Sequence, residues 1–246
     1  MKASRLARWA GRVLLAIGVL AAGSAYAQGG TAAPETPSSV LYNQNQPADV
    51  SAAGWSSSSN FEAALSTFDS QAADDFLISH QFWHITSITV PGLYDGPAGS
   101  TYVNSLLVQF YADAGTSPAR PAANPIASQT IPAGSIGGLT SGWFVVNLNP
   151  SVTLGPGHYW LSVQANKSFG SDSRQWAWRE YTVQSNSESV WQQPGNGYGK
   201  GCLTWKPRVT VCHEPATNSQ GKDLAFELDG TSNPVTHQVF LPVARR

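Results

Sequence analysis

The chain has 246 residues, 14 basic against 15 acidic side chains, a formal charge of −1, and only 12% charged residues. A balance this near neutral excludes the clustered cations with which a nucleic-acid-binding protein neutralises phosphates. The low charged fraction, beside abundant Ser, Thr, Asn, Gln and Gly, suits an extracellular β protein rather than a cytosolic enzyme or a coiled coil.

In chain order, Lys2, Arg5, Arg8 and Arg12 form a basic start, and Val13–Ala22 is an apolar run too short to span a bilayer comfortably. Ala25-Tyr26-Ala27 supplies small residues at the two positions a signal peptidase reads, so residues 1–27 read as a signal peptide cleaved before Gln28. Removing its four cations leaves ten basic residues against fifteen acids, a charge of −5, and no later stretch is apolar enough to serve as a transmembrane segment. Residues 28–39 lack periodicity and read as a flexible lead-in.

From 40 to 230 the pattern is short β-prone runs separated by turn residues. The one helical spacing is Phe61, Ala64, Leu65 and Phe68 after an Asn60 cap, with an irregular loop as the alternative. Trp83–Val90 is strand-like with an alternation that needs a bulge. Period-two segments place Leu106, Val108 and Phe110 on one face, then Phe144, Val146 and Leu148, then Tyr159, Leu161, Val163 and Ala165, and finally Leu224, Phe226 and Leu228. About ten strands at this spacing predict an all-β fold, an antiparallel two-sheet β-sandwich of jelly-roll-like form. Residues 231–246 read as a linker and a short apolar tail, with an extra edge strand as the alternative.

Cys202 and Cys212, ten positions apart in an exported chain, read as a disulfide; a zinc site would need two further ligands, and only His213 is close. The segment 174–205 holds Trp176, Trp178, Trp191, Tyr198 and Trp205 among glycines and polar residues. If solvated, these rings form a platform that stacks on a ligand; if buried, they are core, and Trp176 and Trp178 share one face of a strand in either case.

Signatures of catalysis are weak. There is no Gly-x-Ser-x-Gly elbow, and His80 and His84 lack the glutamate of a zinc-protease helix. Glu227-Leu-Asp229 faintly resembles the carboxylate motif of laminarinase-like sandwiches, but Ser232 stands at its third position. Asp69, Asp74, Asp75 and Glu180 are acids that a fold could pair for hydrolysis. Asp74 and Asp75, where a loop enters a strand, are candidate ligands for a structural Ca²⁺, with turn hydrogen bonding as the alternative.

Five stretches occur in a fixed order: Ala73-Asp-Asp-Phe76, Phe110-Tyr-Ala-Asp-Ala-Gly115, Leu154-Gly-Pro-Gly-His-Tyr-Trp-Leu-Ser-Val-Gln-Ala-Asn166, Gln175-Trp-Ala-Trp178 and Asp223-Leu-Ala-Phe226. Together they span most of residues 70–230, and the set resembles a recurrent, functionally uncharacterised secreted bacterial β-sandwich module. That resemblance implies fold and compartment and carries no activity. The resulting expectation is a secreted or cell-surface binding module without catalysis, its ligand a glycan or other surface polymer. An exported glycosidase-type hydrolase and a structural envelope or matrix component are the alternatives.

Overall fold

The computed structural model describes residues 38–95, 103–170, 174–215, 219 and 221–234, without the side chains of 53–55. The segment read as a signal peptide, nearly all of the expected lead-in and the tail beyond Pro234 lie outside the described residues. In chain order the strands are β1 (Ser39–Gln44), β2 (Val50–Ser57), β3 (Ser59–Asn60), β4 (Gln71–Ile78), β5 (Gln81–Val90), β6 (Gly92–Tyr94), β7 (Ser105–Ala112) and β8 (Ala127–Pro132). They continue with β9 (Ile136–Gly137), β10 (Phe144–Leu154), β11 (Gly157–Asn166), β12 (Trp176–Tyr181), β13 (Val190–Gln192), β14 (Lys206–Pro207), β15 (Asp223–Leu224) and β16 (Phe226–Pro234).

The all-β expectation holds, with more and shorter strands than the periodicity suggested. A five-stranded sheet has the order β1-β16-β5-β10-β9, and a seven-stranded sheet follows β14-β13-β4-β11-β7-β8, with β3 joining β11 in parallel. The other pairings are antiparallel, including those of a third, four-stranded sheet in which β12 pairs with β15, β2 and β6. β16 runs to Pro234 alongside Gln81, so the strand continues four residues past the expected boundary at 230.

The inner faces of the two large sheets share one core. The rows Leu106-Val108-Phe110, Leu161-Val163-Ala165, Phe144-Val146-Leu148 and Leu224-Phe226-Leu228 are buried in it, as their period-two spacing demands. In β5 the buried positions switch from Trp83 and Ile85 to Ile88 and Val90, and its pairing with β16 shifts register between Asp229 and Gly230. This is the bulge that the imperfect alternation required. Phe61–Phe68 forms neither an α-helix nor a free loop: Ala63–Phe68 is a 3-10 turn that starts after Glu62, without a side-chain cap from Asn60.

Aromatic rings bind the sheets together. Phe76 on β4 lies within 6.4 Å, centroid to centroid, of Tyr42, Trp83, Phe110, Tyr159 and Phe226. Trp176 stacks on Phe144 at 5.0 Å, and Trp178 meets Phe226 edge-on. Cys202 and Cys212 are joined by a disulfide, their Cα atoms 5.9 Å apart, closing a loop that contains Trp205 and β14.

Phe76→Ala and Trp178→Ala each remove a fully buried ring, so each should lower the unfolding free energy by about 3–5 kcal/mol in urea titrations. A loss below about 1 kcal/mol at either position would contradict the packing described. The double replacement of Cys202 and Cys212 by Ser should cost about 2.5–3 kcal/mol while leaving the circular-dichroism spectrum that of a β protein.

Candidate functional site: an outer groove of the seven-stranded sheet

Trp176, Trp178, Trp191, Tyr198 and Trp205, the candidate binding rings, do not share a surface. Trp176, Trp178 and Trp191 are completely buried in the main core. Their indole N–H groups donate to the carbonyls of Gly142, Ala225 and Ser57 at 2.8, 2.6 and 2.9 Å. A stacking role for these three is therefore corrected to a packing role: a sandwich of this size needs large inner residues, and their N–H groups are spent inside it.

Tyr198 is half-buried between two smaller cavities of about 190 and 370 Å³, and its hydroxyl donates to Gln175 Oε1 at 2.9 Å. The loop carrying it is held close: a Cβ on Gly195 or Gly197 would run into the backbone of Thr67, so only glycine lets the chain approach.

Trp205 takes a different position. Alternation along β4, β7, β11 and β13 sends Ala73, Tyr111, Trp160 and Val190 to the outer face of the seven-stranded sheet, where they form a second cluster with Trp205. Trp205 meets Tyr111 edge-on at 5.9 Å. Beside them runs a polar row, in which Gln192 Nε2 donates to Gln71 Oε1 while Gln71 Nε2 and the Tyr111 hydroxyl donate to Gln109 Oε1.

Two segments border this face: the disulfide-clamped turn ending in Trp205 and the β7–β8 connection. Between them lies a groove of about 430 Å³ lined by Tyr111, Ala114, Arg120, Pro121, Gln192, Thr204 and Trp205. The connection is tightly braced: Ala114 N donates to Arg120 O, Gly115 N to Asp113 Oδ1, and Asp113 pairs with Pro121.

The groove presents specific unused groups. Trp205 is 7% exposed, and its N–H meets no acceptor among the described residues. Nor is it sealed inside with the interior atoms that lack partners, which are Asn45 Oδ1, Ser56 Oγ, Gln193 Nε2 and Asp223 Oδ1. Gln192, having donated to Gln71, keeps its side-chain carbonyl oxygen free. Sequence reasoning reached Trp205 but missed Tyr111, Arg120, Gln192 and Thr204. Tyr111 was legible in part, since a strand with Leu106, Val108 and Phe110 inward must turn Tyr111 outward.

The acids are inside rather than across a cleft. Asp74 and Asp75 are both fully buried and point to opposite faces of β4. Asp74 accepts from Gln44 Nε2 at 2.7 Å and Leu224 N at 2.6 Å, and Gln44 in turn accepts from the Tyr42 hydroxyl. Asp75 accepts from Ser187 N at 3.0 Å and sits 2.6 Å from His158 Nε2. Carboxylates occupied by N–H donors on opposite faces do not converge on a cation, so the calcium expectation at Asp74 and Asp75 is corrected to hydrogen bonding. Among the described residues no group of three His, Cys, Asp or Glu is arranged to hold a metal ion. Glu180 is locked to Arg208 at 2.6 Å with both side chains fully buried, and no carboxylate lines the groove. No helix among the described residues is long and apolar enough to cross a membrane.

Comparison of the chain with protein-family profiles, curated proteins and solved structures finds no match.

Burial, reinforced by the nearby Asp75 and Glu188, raises the Asp223 carboxyl from 3.8 to about 7 against the opposing pull of Ser185 N–H and Arg208. Asp74 is raised for the same first reason, with Asp223 and Asp75 adding repulsion. A raised folded-state value means that the folded chain keeps protons the unfolded chain releases. The stabilisation is complete below about pH 4 and is lost as pH rises through about 7. The melting temperature should therefore fall between about pH 5 and pH 8, and Asp223→Asn should flatten that slope. Equal slopes in the two proteins would contradict the assignment.

Proposed function

We propose that the protein is a secreted binding module that holds a glycan, or another oxygen-rich surface polymer, in the outer groove of its seven-stranded sheet. The observation that carries this reading is the free N–H of Trp205. Of the buried tryptophans, Trp83, Trp160, Trp176, Trp178 and Trp191 all donate within the protein, whereas Trp205, which lines the groove, keeps its donor unused. Buried polar groups find partners as a rule, so one left open on a concave surface fits an acceptor from outside.

The rest of the groove supports the same ligand class. A hydroxylated chain needs donors, acceptors and aromatic edges close together; Trp205 N–H, the Gln192 carbonyl oxygen, the Thr204 hydroxyl and the Tyr111 ring provide them. The hydrolase alternative finds no support here, because glycosidase chemistry needs two carboxylates flanking the ligand and none lines the groove.

The test is binding to a panel of soluble and insoluble polysaccharides, by pull-down and calorimetry. Trp205→Phe keeps a ring and removes the donor. It should weaken binding about fivefold to tenfold, the worth of one hydrogen bond, with a small change in melting temperature. Trp178→Phe, altered far from the groove, should bind as the parent does. A parent protein that binds no polymer in the panel would overturn the reading.

A further inference from the structure

We infer that the groove selects a polymer bearing an anionic substituent, a carboxylate or a sulfate, and that Arg120 is the residue that receives it; this rests on the groove being the binding site. Arg120 is the single charged side chain among the groove's lining residues. Its guanidinium makes no hydrogen bond or ion pair with any described residue, whereas three other cations are committed: Lys200 to Glu214, Arg208 to Glu180 and Lys222 to Glu188.

The adjacent acid is turned away. Asp113 Oδ2 accepts from Trp160 Nε1 at 3.0 Å and lies 3.6 Å from His158 Nδ1, while its Oδ1 is taken by Gly115 N. The groove therefore holds one uncompensated positive charge in a chain whose overall charge is negative.

Position adds to charge. Arg120 stands on the braced β7–β8 connection, where its own carbonyl and its neighbour Pro121 are tied to Ala114 and Asp113. Its side chain thus starts from a fixed backbone and lines the same groove as Trp205. A guanidinium fork and an indole N–H lining one groove are donors with no competing carboxylate, which is the complement of a planar carboxylate or a sulfate on a sugar ring. Neutral hydroxyls would use Trp205 and Gln192 and leave the guanidinium unpaired.

The experiment compares a polyuronate with its carboxyl-reduced neutral counterpart, and a sulfated polysaccharide with its desulfated form, using parent protein, Arg120→Gln, Arg120→Lys and Trp205→Phe. The parent should bind at least one anionic form about tenfold or more tightly than its neutral counterpart. Binding should weaken when salt is raised from about 50 mM to about 500 mM. Arg120→Gln should abolish the preference, and Arg120→Lys should restore part of it, since lysine keeps the charge without the fork. The preferred pair identifies carboxylate or sulfate.

Equal binding of anionic and neutral forms that is unaffected by Arg120→Gln but weakened by Trp205→Phe would overturn this inference and leave the groove as the site. Binding to neither form would overturn both. Arg120 lies outside the core, so unchanged melting of its variants separates lost recognition from lost folding.

Discussion

Phe76 is in ring contact with side chains from β1, β5, β7, β11 and β16, and through them it locks the five-stranded sheet to the seven-stranded one. Dispersion among closely packed rings is weak contact by contact and large in sum, and here it is concentrated at the middle of the sandwich. The neighbouring β4 residues inherit the consequences. Asp74 must enter the same interior and is tolerated because Gln44, Leu224 and Asp75 supply N–H donors to its carboxyl group.

β4 is buried on both faces, and this second burial produces the groove. An outer sheet face with Ala73, Trp160 and Val190 on it has to be covered. Cover comes from a disulfide-clamped turn on one side and from the β7–β8 connection on the other. Two independent loops over a flat sheet do not meet along their whole length, and the remaining gap is lined by whatever those loops carry. Trp205 is held there by the clamp and Arg120 by the braced connection, so the recognition elements are rigid although they lie in loops.

The buried acids belong to stability rather than to recognition. Asp74, Asp75 and Asp223 crowd one region of the interior, and Asp223 keeps one oxygen without a partner. Such an arrangement favours protonated carboxyls and makes the fold more tolerant of acid than of alkali, over the range that Asp223 governs.

The sequence alone carries the all-β class, the inward rows of β7, β10, β11 and β16, the bulge in β5 and the pairing of Cys202 with Cys212. Each depends on neighbours in the chain: a period of two, a break in that period, or two thiols ten residues apart. It also brought attention to 174–205, yet it could not divide those rings into core and surface. Trp176 and Trp205 look alike in sequence, and the difference is that β12 packs against Phe144 and Phe226 while Trp205 closes a turn over the far side of β4. That separation, and the meeting of Arg120 with Gln192 and Trp205 across about 430 Å³, came only from the tertiary structure. Residues more than seventy positions apart become neighbours through sheet order, which local periodicity does not encode.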